Sequence, residues 1–279
     1  NYDRVFWVPA PPGFTFLTGV YEGAEFLFAA QDPAPADPFH FDRTDQLRIL
    51  PSRDASVSQT DTSITDPRHF THPDPRFYDG ASVLVWHQPN VTRVYKVTGY
   101  DPATHTLFHE KVGGAGVYKD RDTCYAIINH PAFLSGPGQY CHDEKSGRLY
   151  VWPRRGGDPA ANEYSIAGTG TGIALVGKHH VCIEGFIVQK FVFGIRAGEG
   201  SISDVEIRNN EVRSLKSNDR YAIHAQGTSI KVVGNRVTDC QRAVGILAGG
   251  KDVVTEGNWV QRTSRQGIWF MGAEHCRIV

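Results

Sequence analysis

From residue 172 the chain repeats itself about every 23 residues, and that period limits the fold more than any other feature. Gly-Ile or its equivalent starts at Gly172, Gly194, Ala222, Gly245 and Gly267, and a second strand starts at Val181, Val205, Ile230, Val253 and Cys276. The second strands follow one template: apolar, any, mostly apolar, any, Gly or Asn, usually Asn, any, Val. The copies are VCIEGFIV (181–188), VEIRNNEV (205–212), IKVVGNRV (230–237) and VVTEGNWV (253–260). A period of this size means one supersecondary unit per repeat, stacked on its neighbours to bury a shared core. Each unit alternates with period two and none holds an amphipathic run of helical length, so the units are strands.

Stacked parallel coils bring equivalent positions to the strand-pairing distance of ~4.8 Å. Ile173, Ile195, Ile223, Ile246 and Ile268 then form one inward ladder, and Val188, Val212, Val237 and Val260 another. Asn210, Asn235 and Asn258 recur at the sharp turn between two strands, with Phe186 in their place in the first coil. The expectation is that these asparagines take the left-handed conformation and bond their amides from coil to coil. The last copy, CRIV, stops at residue 279. A solenoid end needs a cap, so the reading expects remaining coils or a second chain to cover the C-terminal end.

Ahead of the repeat the rhythm differs. Residues 1–125 read as a β-rich accessory region: Ser82–Trp86 and Thr92–Val97 are strand-like, Asp101-Pro-Ala-Thr104 reads as a hairpin turn, and residues 51–79 as a long surface excursion. Residues 126–165 read as a connecting hairpin turned at Lys145-Ser-Gly147, and residues 166–279 as the solenoid.

Here the sequence resembles the pectate-lyase-like superfamily of right-handed parallel β-helices, by its repeat over about residues 165–279. More loosely, Ala126–Asn129 through Pro137–Tyr140 to Leu149–Pro153 is similar to a stretch in large bacterial β-helix proteins assigned to the glycoside hydrolases. The fold class is therefore all-β, a right-handed parallel β-helix preceded by an irregular β-rich region. The resemblance implies a carbohydrate-active protein that is secreted, periplasmic or on the cell surface. It implies a glycoside hydrolase first, then a lyase or epimerase acting on uronate polymers, and third a non-enzymatic, tailspike-like or structural module. The sequence departs from the family in lacking its calcium-binding aspartate cluster and its Asp-Asp and Gly-His-Gly signatures.

The remaining composition narrows the partners. A net charge of −1 gives no electrostatic footprint for nucleic acid or an anionic membrane. No run of residues approaches the length of a membrane span. Five cysteines (Cys124, Cys141, Cys182, Cys240, Cys276) show no metal-ligand spacing; most read as core fillers, with a Cys124–Cys141 bridge open. No cofactor or metal is expected, and the partner expected is a polysaccharide or oligosaccharide. Asn90-Val-Thr92 fits a glycosylation sequon, a pattern short enough to arise by chance.

Alternation turns the residue after each repeat isoleucine outward, giving the row Ala174, Arg196, His224, Leu247 and Trp269. A Trp stacks on a pyranose, an Arg holds a carboxylate, and a His exchanges protons near neutrality. Lead-in loops of unequal length add Lys216, Asp219, Arg220 and Tyr221, then Asp239, Gln241 and Arg242, then Arg262 and Arg265. Glycoside hydrolysis needs two carboxyls across one cleft, which Asp219 and Asp239 in consecutive loops could supply. The candidate catalytic residues are thus Asp219, Asp239 and His224, and the candidate substrate-binding residues Arg196, Arg220, Trp269 and Arg242. For each, the alternative is a solvated or covered position on an ordinary solenoid wall. His179-His180 is read as a turn pair, since adjacent strand residues face opposite ways.

Overall fold

The computed structural model describes residues 4–88, 91–114, 116–117 and 121–279; Asn90 of the sequon lies outside them. Among the described residues there are strands, turns and short 3-10 segments but no α-helix. The chain forms two compact units, Asn1–Phe16 with Leu27–Ala161, and Leu17–Phe26 with Asn162–Val279.

In the second unit the repeat becomes a parallel β-helix. Its coils begin with the strands Gly168–Val176 and Phe191–Glu199, continue through the long strands Glu211–Val233 and Arg236–Lys251, and reach Ile268–Glu274. Register follows the sequence template: Ile173 pairs with Ile195, Ile195 with Ile223, Ile223 with Ile246, and Ile246 with Ile268. The valine ladder aligns likewise from Val188 through Val212 and Val237 to Val260. The inner members of both ladders are fully buried in one apolar column. At ~25 cal/mol per Å² of apolar surface, this continuous column is the main stabilising term.

At the asparagine turn the coil-to-coil amide bonds form as expected, but the left-handed conformation falls elsewhere. The left-handed residues are Gly185, Asn209, Gly234 and Gly257, each one position earlier than expected. The asparagines that follow face the interior and bind instead. Asn210 Nδ2 donates to Asn235 Oδ1 at 3.0 Å and to the Ile183 carbonyl at 2.9 Å; Asn235 Nδ2 donates to Asn258 Oδ1 at 2.9 Å and to the Ile207 carbonyl at 2.8 Å. A buried amide with several partners is worth more here than a backbone conformation that glycine adopts at no steric cost. Where Phe186 interrupts the ladder, its backbone N–H still donates to Asn210 Oδ1 at 3.0 Å.

The other two corners have left-handed ladders of their own: Lys190, Ser214, Asp239 and Arg262 at one, and His180, Asp204, Ser229, Asp252 and His275 at the other. A strap, Leu17–Phe26, belongs to this unit. Its strand Val20–Glu22 runs antiparallel to Tyr164–Ile166, and buried Tyr21 donates a 2.7 Å bond to the Ser214 carbonyl.

The first unit holds two antiparallel arrangements. One joins Phe6–Pro9, Arg148–Trp152 and Gln139–Asp143, with Gly147 in the left-handed turn between the last two. The other runs Gln31–Asp32, Thr123–Ile128, Ser82–Gln88, Val91–Asp101, Thr106–His109, Ser63–Thr65 and Ser58–Gln59. Asp101 caps its hairpin by accepting from Ala103 N at 2.9 Å and Thr104 Oγ1 at 2.7 Å. Residues 51–79 are not merely a surface excursion: they supply two strands and bury Ile64, Phe70 and Tyr78 in the core. Asp66, fully buried, anchors them by accepting from Tyr125 Oη at 3.0 Å and Arg68 Nε at 3.1 Å. All five cysteines are free thiols, Cys124 and Cys141 included.

Candidate functional site

The outward row of the first strands is in register: Ala174 beside Arg196, Arg196 beside His224, His224 beside Leu247, and Leu247 beside Trp269. It is not a uniform wall. Leu247 is buried at 1% exposure, so Trp269, at 38%, is separated from the Arg196–His224 end by a covered rung. The functional groups gather at that end.

Phe193 lies two residues before Ile195, and Tyr221 holds the equivalent place before Ile223. Arg196 and Arg220 place their guanidinium carbons 5.0 Å and 5.7 Å from the Phe193 ring centre. The Tyr221 ring is 6.4 Å from Phe193 and 4.9 Å from the His224 imidazole. Arg196 is also ion-paired to Glu199 on its own strand. The backbone makes this crowding possible. Register shifts between Lys216 and Arg220, so the longest lead-in loop fits its extra residues before Arg220 and Tyr221 rejoin the sheet. A side chain at Gly198 would meet the His224 ring at 2.4 Å, so only glycine leaves room for the imidazole.

His224 Nε2 lies 3.3 Å from Gln226 Oε1, and its buried Nδ1 has no hydrogen-bond partner among the described residues. Burial pushes its pKa below the usual imidazole value; the Gln226 contact opposes this, and nearby Arg196 adds to it. The ring is therefore neutral at neutral pH, beside the Arg196 cation. Such a group accepts a proton while the guanidiniums hold an anion.

The lead-in loops form a separate ionic cluster. Asp219 accepts from Arg242 Nη2 at 2.6 Å and from Arg265 Nη2 at 2.8 Å and Nε at 3.0 Å. Burial would raise the Asp219 pKa, but Arg242 and Arg265 outweigh it and hold the carboxyl below the usual carboxylate range. Asp239 is bound to Arg262 at 2.7 Å on the neighbouring corner. The two aspartates are thus engaged with different arginines. Arg242 is 4% exposed and serves this cluster rather than an open surface. Lys216 is buried beside it, and desolvation together with Arg242 pushes its amine down to about 7.

Of the sequence candidates, Arg196, Arg220 and His224 lie against this cluster; Phe193, Glu199 and Gln226 also belong to it and are not among those candidates. The signal for Phe193 was an aromatic at one template position in consecutive coils, Phe193 and then Tyr221. His179 and His180 turn apart, His179 Nδ1 to Ser203 Oγ at 2.9 Å and His180 Nδ1 toward Asp204 at 3.7 Å. Among the described residues no group of three or more His, Cys, Asp or Glu could hold a metal, and no helix is long and apolar enough to cross a membrane.

Comparison with known proteins gives a partial frame. No curated protein matches the chain. A solved structure described as "Glycoside hydrolase" aligns over 99% of this chain and 78% of its own, at 8% identity and a TM-score of 0.49. The family model described as "Right handed beta helix region" matches residues 156–279. Repeat, strand register and family match agree: the C-terminal part of this protein is a right-handed parallel β-helix.

Proposed function

We propose that the Arg196–His224 end of the β-helix binds a polysaccharide, and that the protein is a carbohydrate-active enzyme working in a secreted, periplasmic or surface setting. The observation that carries this reading is the cluster in which Phe193 lies under two guanidiniums while Tyr221 packs on a neutral His224. Rings of this kind stack on sugar faces, and paired arginines bind a carboxylate. The localisation rests on the resemblance to extracellular carbohydrate-active β-helices.

The cluster suits proton abstraction from a uronate residue, the lyase chemistry, because it offers a neutral base beside cations. Glycoside hydrolysis is the second reading. It requires two carboxylates across one cleft, and Asp219 is engaged with Arg242 and Arg265 while Asp239 is engaged with Arg262. In its favour is Glu199, which brings a carboxylate to the same face.

The test is a screen of the intact protein against neutral and uronic-acid glycans, reading reducing ends and unsaturated-product absorbance together. Both signals, abolished in His224→Ala, support the lyase reading. Reducing ends without new absorbance select hydrolysis. Binding lost in Arg196→Ala without turnover leaves a recognition module. Absence of both binding and turnover on every glycan would overturn the proposal.

A further inference from the structure

A second feature lies wholly in the first unit. The strand Phe6–Pro9 pairs antiparallel with Arg148–Trp152, Phe6 opposite Val151, which carries Arg4 toward the end where the partner strand exits. That exit is Pro153-Arg154-Arg155-Gly156-Gly157, turned by a Gly156 N–H to Pro153 carbonyl bond and by two left-handed glycines. The result is a cavity of about 520 Å³ lined by Arg4, Arg154, Arg155, Phe6 and Trp152 together with Pro137 and the two glycines. That volume is in the usual range for small-ligand sites.

The lining brings together three guanidiniums and two aromatic rings. Arg154 is held in place, its guanidinium carbon 5.9 Å from the Phe28 ring centre and packed against Gly138, where an added side chain would meet it at 3.3 Å. Arg4 and Arg155 are exposed and able to close on a ligand. Arginine forks match planar oxyanions, and aromatic walls match the apolar face of a ring. A nucleic acid would need a track of cations across the surface, whereas these three are confined to one cavity in a chain of net charge −1.

We infer that this cavity binds an acidic saccharide, a pyranose bearing a carboxylate, and that the N-terminal unit is a second glycan-recognition site. The sugar, as opposed to another ring-bearing anion, rests on the reading of the β-helix face as polysaccharide-binding; the anion specificity does not.

The experiment is calorimetric titration of the intact protein with tri-galacturonate and with its carboxyl-reduced neutral counterpart. Wild type, Arg4→Ala/Arg155→Ala, Arg4→Lys/Arg155→Lys, Phe6→Ala and Arg196→Ala/His224→Ala are compared. The expected result is a binding step that weakens tenfold or more in Arg4→Ala/Arg155→Ala, weakens less in the lysine pair, and persists in Arg196→Ala/His224→Ala. The neutral trisaccharide should not produce that step. Because Arg4 and Arg155 are exposed, their loss leaves the core intact, and an unchanged circular dichroism melt verifies it. An isotherm for Arg4→Ala/Arg155→Ala identical to wild type, or equal affinity for the neutral sugar, would overturn the inference. Loss of binding only in Arg196→Ala/His224→Ala would do the same while leaving the β-helix reading intact.

Discussion

Arg242, almost wholly buried, donates a 2.6 Å hydrogen bond to Asp219, a residue from the preceding coil. The bond joins two turns of the helix at the corner where the lead-in loops vary in length. It also keeps the Asp219 carboxyl ionised well into the acid range.

Replacing Asp219 by Asn should therefore destabilise the β-helix by about 1–3 kcal/mol at pH 7. That is less than for a fully buried pair, because the Asp219 side chain is 41% exposed. The sign with pH follows from the lowered carboxyl: its contribution is present above the usual carboxylate pKa and is lost as pH falls through the folded value. Denaturant melts of the wild type and D219N should converge toward pH 3. A constant gap from pH 7 to pH 3 would contradict the assignment.

Lys216 gives stability the same sign of pH dependence over a more alkaline window. Its amine is pushed from 10.5 down to about 7 in the folded protein, so between those values the unfolded chain binds more protons. Stability should rise with pH across that window and level off on either side. Lys216→Met should remove the slope, and wild-type and K216M unfolding curves taken from pH 6 to pH 10 report it directly.

His224 should titrate below 6.5, and Arg196→Gln should raise its midpoint by removing the adjacent cation. Proton NMR of the imidazole gives both numbers. In the same spectra Gly198→Ala should shift the His224 resonances, because the new methyl needs the space the ring occupies. Any turnover should drop at least tenfold in G198A while the melting temperature changes little. Unmoved resonances would show that the His224 ring does not occupy the space beside Gly198.

The asparagine ladder should be a stability element with no bearing on ligand. Asn235→Ala removes a buried donor to Ile207, a half-buried donor to Asn258 and a buried acceptor for Asn210, at a cost of about 2–4 kcal/mol. Thermal melting should show the loss, and glycan affinity measured below the transition should be unchanged.

The sequence revealed much of the β-helix because its physics is periodic. Once Ile173 and Ile195 occupy one template position, stacking determines their pairing and that of Arg196 with His224. What the period does not encode is what long side chains do between coils. Nothing in the spacing of Asp219 and Arg242 says that one will reach the other, or that Leu247 in the outward row will be covered. The left-handed position in the asparagine turn is not legible in the sequence to better than one residue, because glycine and asparagine both tolerate that conformation and only the interior hydrogen bonds decide which sits where. In residues 51–79 a polar, proline-rich composition hides the few apolar anchors, Ile64 and Phe70 among them, that fix the segment.

The displaced register between Lys216 and Arg220 has a wider consequence. Coil three takes in extra residues at one corner, yet from Ile223 onward every pairing resumes as though none had been added. The scaffold thus separates length from alignment. A lineage built on it can rewrite its lead-in loops by insertion, trading one ligand for another, while the wall beneath keeps the same neighbours.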